Sequence, residues 1–202
     1  MANRNSIPSS RVLVELVDGQ GRTVGLTDKH VAHRAPGLRH RAFSVFLFDD
    51  KDELLLQRRA AGKYHSPGVW SNSCCGHPLP GGDPRGAALG RARHELGVEL
   101  DGLRASGTVS YEYSDPLTGM VEREYNHLYV GRVRSRRLRP DASEVSDVRW
   151  VNPGALSTMR SEVAFSEWFE TVLDAAVPRF ARGRSGIDLP GRPEAAARSE
   201  EA

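Results

Sequence analysis

Residues 76–97 read GHPLPGGDPRGAALGRARHELG and predict a loop rich in glycine and proline, followed by one well-delimited helix. Asp83 is a residue type that caps helix N-termini, and Pro84 suits the first helical position because no amide hydrogen is left unpaired there. Three apolar residues follow at helical spacing: Ala88, Ala92 and Leu96. Gly97 can adopt the left-handed backbone that ends a helix. The stretch therefore predicts a helix over residues 84–96.

Most of the remaining chain predicts short β-strands joined by turns. Apolar runs separated by turn-forming residues predict extended segments at 11–17, 23–26, 41–48, 53–57, 107–114, 120–133 and 148–151. The short turn between segments 41–48 and 53–57 predicts that these two strands pair. A late helix is predicted after Ser166, which can cap it, with its apolar face formed by Phe169, Val172, Leu173 and Ala176. Such hairpins with two helices indicate an α+β fold or an α/β/α sandwich.

The composition indicates a single domain. The chain has 202 residues, 39% of them hydrophobic, which is enough for one sizeable core and too few for two ordinary domains. We expect a domain at 11–180, a flexible N-terminus at 1–10 and a disordered tail at 181–202. The net charge of +2 excludes the strong positive field that non-specific nucleic-acid binding requires. Without a signal core or a membrane-spanning run, we expect a cytoplasmic protein with no membrane partner. We also expect no nucleic-acid partner and a monomer or weak dimer.

The two cysteines, Cys74 and Cys75, are adjacent and therefore poorly placed for a disulfide that closes a loop. We expect both to be free thiols, and free cysteines are usually small buried hydrophobes. However, the sequence SNSCCGHP at 71–78 places Cys75 and His77 two residues apart, on one side of an extended segment. A thiol and an imidazole can therefore face the same space.

Two further clusters contain residue types that bind metals. AHRAPGLRH places His33 and His40 on either side of a Pro-Gly turn, and Glu122 and Glu124 share one face of a predicted strand. With His77 they supply three imidazoles and two carboxylates, a set that suits manganese, iron or zinc. The other histidines are equally well explained as surface or core residues: His30, His65, His94 and His127.

Basic residues near the first strands form another candidate site. Arg59 and Lys63 belong to QRRAAGK, where a loop that follows a strand can hold an anion. Lys29 also lies near the first paired strands. A diphosphate would fit such a cluster. The second basic run, RVRSRRLR at 132–139, is better explained as a solvated strand end and loop.

Residues 76–97 resemble a degenerate Nudix box, a loop–helix–loop in which several glutamates hold magnesium against a diphosphate. The residues that match the box are Gly76, Glu95 and Gly97, and the positions of other glutamates are taken by Gly82, Arg91 and His94. A hydrolase that depends on those carboxylates should be disabled. Residues 10–178 resemble the type 1 isopentenyl-diphosphate isomerases. The resemblance rests on the loss of these glutamates and on five motifs: SNSCCGHP, AH-x6-H, QRRA-x2-K, VEREYNH and AFSEW.

The resemblance implies an α+β, Nudix-like α/β/α sandwich with a mixed sheet, and it implies a role for each matching residue. The implied ligands of one manganese or zinc ion are His33, His40, His77, Glu122 and Glu124. Magnesium would be held by Glu95 and the substrate diphosphate, with the phosphates bound by Lys29, Arg59 and Lys63. The implied catalytic residues are Cys75, Glu124 and Tyr111, and Trp168 would line the hydrocarbon pocket. Tyr113 remains an alternative to Tyr111, because the turn DPLTG between the strands differs in length among relatives.

The implied reaction interconverts isopentenyl and dimethylallyl diphosphate, precursors of isoprenoids. Its double bond is unactivated, so a route through a tertiary carbocation needs an acid and a base on opposite faces and a pocket that excludes water. Cys75 and Glu124 suit these roles, and the π face of Trp168 would stabilise a cation. Two other functions remain open at this point. One is a Nudix hydrolase, which the missing glutamates oppose, and the other is a non-catalytic zinc module containing Cys75 and His77.

Overall fold

The computed structural model describes residues 12–116 and 118–183. These residues form nine strands, β1 (Leu13–Val17), β2 (Thr23–Asp28), β3 (His40–Phe48), β4 (Leu54–Arg59), β5 (Trp70–Ser71), β6 (Cys74–Gly76), β7 (Arg104–Ser114), β8 (Val121–Arg132) and β9 (Val145–Val151). They also form five helices, α1 (Lys29–Ala32), α2 (Pro84–Leu96), α3 (Pro153–Glu162), α4 (Phe169–Ala176) and α5 (Pro178–Ala181). The N-terminus expected at 1–10 lies outside the described residues, as does the expected tail beyond residue 183. The domain bounds 11–180 therefore stay a prediction.

A mixed sheet is built around the parallel pair β3 and β8, which run together from His40 beside Glu124 to Phe48 beside Arg132. The other edge of β3 pairs antiparallel with β6 and, at one position, with β1. β7 pairs antiparallel with β8, and β4 pairs antiparallel with β9 and β5. The predicted α+β class with a mixed sheet is confirmed.

Helices cover both faces of the central strands, which explains why β3 is apolar almost throughout. Phe46 and Phe48 pack in one hydrophobic cluster with residues of α3 and α4, including Phe169. Phe43, Val45 and Leu47 alternate with them and pack in a second cluster against Ala88, Ala92 and Leu96 of α2. The layers are therefore helix, sheet and helix. None of the helices in the described part of the chain has the length and apolar character of a membrane span.

The predicted pairing of segments 41–48 and 53–57 is confirmed, but it is confined to the end next to the turn. β3 and β4 meet at a single residue pair, Phe48 with Leu54. The rest of β3 pairs with β8, β6 and β1, and the rest of β4 pairs with β9 and β5. Contacts between distant segments thus override the local turn signal, because they bury more apolar surface than a two-stranded hairpin can.

Ser166 does not cap the late helix. α4 begins at Phe169, and Trp168 occupies the N-cap position without a side-chain cap. The Ser166 hydroxyl lies 2.9 Å from that of Ser71, and its backbone N–H donates to the carbonyl of Trp70 at 2.8 Å. Ser166 therefore connects the segment before α4 to β5 through hydrogen bonds.

Helix α3 was not predicted, although its start carries the same signal as α2. The Asn152 side chain accepts a hydrogen bond from the backbone of Ala155 at 2.8 Å, and Pro153 follows at the first helical position. An N-cap residue followed by proline would have located it. α1 and α5 are only four residues long, too short for a periodic pattern.

The predicted ends of α2 are confirmed, and they allow a stability test. The Asp83 side chain accepts hydrogen bonds from the backbone of Arg85 and Gly86, and Gly97 has a φ of 61°. Replacing Asp83 by alanine should lower the free energy of unfolding by about 1 kcal/mol, because two amides lose their partner. Equilibrium denaturation measures the difference. Asp83→Asn is the control, since asparagine also caps helices, and an equal loss in both variants would contradict the assignment of the effect to capping.

Candidate active site

A cavity of about 610 Å³ opens at the ends of the central strands. Its walls bring together most of the residues that the sequence selected: Lys29, Arg59, Lys63, Cys75, His77, Tyr111, Glu122, Glu124 and Trp168. His33 and His40 lie behind this wall, fully buried. Residues from distant parts of the chain therefore share one space.

Paired strands place the metal-binding residue types next to one another. Glu122 and Glu124 alternate on β8, so both carboxylates point to the same side of the sheet. His40 lies directly beside Glu124 across the parallel pair, and His77 follows β6 on the other edge of β3. His33 follows α1. The proximity of these candidate ligands thus depends on the order of strands in the sheet.

The donor atoms converge at short distances. Nε2 of His77 lies 3.0 Å from Nε2 of His40 and 3.1 Å from Oε1 of Glu124. With Nε2 of His33, these donors all lie within 4.8 Å of one another. The Nδ1 atoms of His33 and His40 each donate to a backbone carbonyl at 2.7 Å, of Lys29 and Leu38 respectively. Their Nε2 atoms therefore carry free lone pairs, as in metal-binding histidines.

Unsatisfied polar atoms indicate that this cluster fits a cation. Nε2 of His33 and Oε1 of Glu122 are buried and have no hydrogen-bond partner among residues 12–116 and 118–183. Burial lowers the pKa of His77 to about 3, so its imidazole is neutral. Burial opposes ionisation of Glu122 and Glu124, but the neighbouring histidines lower the pKa of both carboxyls. The neutral imidazole of His77 beside ionised carboxylates is in the protonation state that a divalent transition metal requires.

The adjacent cysteines face opposite sides of β6. Cys75 is partly exposed to the cavity, whereas Cys74 is fully buried among core residues that include Phe43 and Leu55. Burial raises the pKa of the Cys75 thiol to about 11, even though the charge of Arg59 opposes this shift. Cys75 is therefore a protonated thiol at neutral pH, and it is the member of the pair that can reach a bound molecule.

The two carboxylate oxygens of Glu124 have different surroundings. Oε1 faces the imidazole cluster, whereas Oε2 accepts hydrogen bonds from the Tyr111 hydroxyl at 2.5 Å and from Nδ2 of Asn126 at 2.9 Å. The Tyr113 hydroxyl instead lies 2.6 Å from that of Thr171 in α4. One oxygen of Glu124 can hold a metal while the other exchanges a proton.

Positive charge accumulates at another part of the cavity wall. Lys29, Arg59 and Lys63 are joined there by Arg91 of α2. Burial, together with the charges of Lys63 and Arg91, lowers the pKa of Lys29. Glu144 forms ion pairs with Lys63 and Arg91. These four cations outnumber the one carboxylate, Glu144, so a bound diphosphate would balance the remaining positive charge.

Comparisons with known proteins agree with this arrangement. A family model described as a NUDIX domain matches residues 38–172. Isopentenyl-diphosphate Delta-isomerases of Streptomyces avermitilis and Streptomyces coelicolor are 56% and 55% identical over 167 residues, which cover 83% of this chain and 84% of each relative. The chain belongs to the isopentenyl-diphosphate Delta-isomerase family. The family member from Nocardia farcinica is 44% identical over 165 residues, 81% of this chain and 93% of that relative.

Solved structures with low sequence identity share the NUDIX fold. The crystal structure of DR0079 from Deinococcus radiodurans has a TM-score of 0.64 at 21% identity and covers 81% of this chain and 96% of that chain. The MutT protein from Methanosarcina mazei has a TM-score of 0.55 at 17% identity, with coverages of 71% and 94%. At these identities the likeness shows the fold alone. The function of this isopentenyl-diphosphate Delta-isomerase family member has to be argued from its own site.

Glu95 does not line the cavity of this isopentenyl-diphosphate Delta-isomerase family member. It is only 3% exposed; its Oε1 pairs with Arg91 at 2.6 Å, and its Oε2 accepts a hydrogen bond from Gln57 at 3.1 Å. Arg91 occupies a position where the Nudix pattern predicts a glutamate. The substitution therefore replaces an anion on α2 with a cation that faces the cavity.

Among the cavity and near-cavity residues that were not selected from the sequence, Asn126, Arg91 and His65 contact the selected residues, and only Asn126 carried a usable signal. Asn126 continues the alternation of Glu122 and Glu124 on β8, so its position on the same face was predictable. Arg91 was recognised only as a missing glutamate. His65, one of the four histidines without an assigned role, is buried beside Glu122. Its loop gives no periodic pattern from which its direction could be read.

Proposed function

We propose that this chain interconverts isopentenyl diphosphate and dimethylallyl diphosphate and so supplies precursors for isoprenoid biosynthesis. The observation that supports this most strongly is one cavity containing a protonated thiol, a hydrogen-bonded carboxylate and a cluster of cations. The names of the relatives agree with this activity.

In the proposed reaction, Cys75 and Glu124 act on the five-carbon chain from opposite sides. One group protonates a carbon of the double bond, and the other removes a proton from the carbon across the branch point, so no atom is gained or lost overall. The Tyr111 hydroxyl, bonded to Oε2 of Glu124, would help to transfer that proton. Trp168 is 2% exposed and lines the cavity, where its ring would stabilise the carbocation and exclude water.

The diphosphate would bind the cations and take no part in the chemistry. Lys29, Arg59 and Lys63 are the proposed phosphate-binding residues, with Arg91 as a fourth. We propose that magnesium accompanies the diphosphate and is held through Glu95. Because both oxygens of Glu95 have partners, this requires Arg91 to exchange that carboxylate for phosphate oxygens. Remote charge contacts of this kind hold the reacting carbons in place.

A second ion, manganese or zinc, is proposed to bind His33, His40, His77, Glu122 and Glu124. When bound, it would stabilise the anionic form of Glu124 and fix its Oε1, which leaves Oε2 to exchange the proton. The cytoplasmic location, the monomeric or weakly dimeric state and the absence of nucleic-acid and membrane partners remain predictions from the sequence.

Incubation of the purified protein with isopentenyl diphosphate, magnesium and manganese or zinc tests this function. Dimethylallyl diphosphate should form, and in D₂O deuterium should enter the five-carbon chain without release of phosphate. Prior removal of metals by chelation and dialysis should abolish turnover, and readdition should restore it. Phosphate release from nucleoside diphosphate derivatives, with no isomerisation, would contradict the proposal and favour a hydrolase.

A further inference from the structure

His65 has no role in the proposed reaction, yet it lies against the metal cluster. Its Nε2 is 3.0 Å from Oε1 of Glu122, and Nε2 of His33 is 3.5 Å from the same oxygen. The donor atoms of these three residues all lie within 4.8 Å of one another. The three side chains are buried, so solvent does not compete for the space between them.

The contacts of Glu122 with His33 and His65 are short but do not have the angles of hydrogen bonds. Oε1 of Glu122 and Nε2 of His33 both lack a hydrogen-bond partner within the described residues. Two atoms bound to one ion at roughly 2.1 Å lie about 3.0 Å apart at a right angle and about 3.4 Å apart at a tetrahedral angle. The separations of 3.0 Å and 3.5 Å match these values, as does the 3.0 Å between His40 and His77.

The loop that carries His65 is held so that this side chain points inward. Arg59 donates to the backbone carbonyls of His65 at 2.9 Å and Ser66 at 3.0 Å. The backbone N–H of Ser66 donates to the buried carboxylate of Asp115 at 2.7 Å. Ser66 has a φ of 43°, a strained conformation for a residue other than glycine. The buried charged groups of Arg59 and Asp115 hold this strained backbone in place. The fold therefore fixes the inward direction of the His65 side chain.

We propose that His65 is a further ligand of the transition metal, so that four histidines and two glutamates surround the ion. This inference rests on the proposed metal site, but not on the isomerase activity. Six protein donors fill the coordination sphere of an octahedral ion and leave no position for water, unlike the open position of catalytic zinc sites. The ion would then anchor Glu124 without generating a nucleophile that could trap a carbocation.

Metal binding by His65 variants tests the proposal without measuring turnover. Metal-free wild type, His65→Leu and His65→Gln are titrated with Co²⁺, and the affinity and visible absorption spectrum are recorded. Loss of a direct ligand should weaken binding by at least about 100-fold, beyond the effect of removing an outer-shell partner, and should change the spectrum. The matched control is His30→Gln, an exposed histidine on α1 that should bind Co²⁺ like the wild type.

The two variants separate a ligand from a hydrogen-bond donor. The glutamine side chain can still donate to Glu122 but is a poor ligand, so wild-type affinity and spectrum in His65→Gln would overturn the proposal. Circular dichroism of the metal-free variants checks folding. X-ray absorption of the wild-type protein loaded with Co²⁺ provides a second measurement that needs no variant: four imidazoles are expected, and three would overturn the inference. If the wild type binds no Co²⁺, the proposed metal site itself fails.

Discussion

Cys75→Ala is expected to lower kcat for isopentenyl diphosphate by roughly 10²- to 10⁴-fold, the contribution usual for a group that transfers a proton in the transition state. The thiol is partly exposed to the cavity and stays protonated because burial raises its pKa to about 11. Alanine leaves the cavity without a proton donor on that side. Because no binding contact to the diphosphate is removed, KM should change much less than kcat.

Cys74→Ala is the matched control for this prediction. Cys74 is fully buried and packs in the core behind β6, so its loss should affect stability and leave kcat unchanged. Initial rates and circular dichroism of both variants complete the comparison. If Cys74→Ala is the inactive variant and Cys75→Ala is active, the assignment within the pair is wrong.

Glu124→Gln is expected to reduce kcat at least as strongly, because it affects both the proton transfer and the metal site. Oε1 of Glu124 lies 3.1 Å from His77, and Oε2 accepts hydrogen bonds from Tyr111 and Asn126. Glutamine has one acceptor oxygen, so its NH₂ group must face either the metal-binding histidines or two hydrogen-bond donors. Each orientation disrupts one of the two functions, and each leaves a buried polar group unpaired.

Metal content, measured by plasma mass spectrometry beside kcat, shows which function is lost. Full metal content with no turnover would assign the loss to proton transfer, and reduced content would assign it to the metal site. The control is Glu112→Gln on β7, whose exposed carboxylate pairs only with Arg123 among the contacts described. Wild-type turnover in Glu124→Gln would contradict its proposed role.

Features determined by neighbouring residues were predicted well from the sequence. The helix over 84–96 has a capping aspartate, a proline and a terminal glycine, and its predicted ends are those of the structure. The side on which Cys75 and His77 lie follows from the alternation of an extended strand. Resemblance to a known family added the combination of distant residues, which periodicity alone does not provide.

Features that depend on distant contacts were predicted less well. The turn between β3 and β4 predicted a hairpin, but these strands pair at one position only, and β3 pairs along its whole length with β8, a strand some 80 residues later. Glu95 was expected to hold magnesium, and Arg91 was recognised only as a missing glutamate. Their ion pair joins positions i and i+4 of a correctly predicted helix and was predictable, whereas the contact of Glu95 with Gln57, 38 residues earlier, was not. The inward direction of His65 depends on Arg59 in the strand just before its loop and on Asp115, which is 49 residues beyond Ser66.

The parallel pairing of β3 and β8 also determines when the metal can be bound during synthesis. His33 and His40 emerge early from the ribosome, His77 follows, and the two glutamates come only with β8. In a zinc finger the ligands are close in sequence, so the ion can bind early and bring about folding. Here the proposed ligand set is incomplete until β8 has emerged and docked against β3. Metal loading should therefore be a late step in maturation, and a nascent chain that stops before residue 122 would carry histidines but no assembled site.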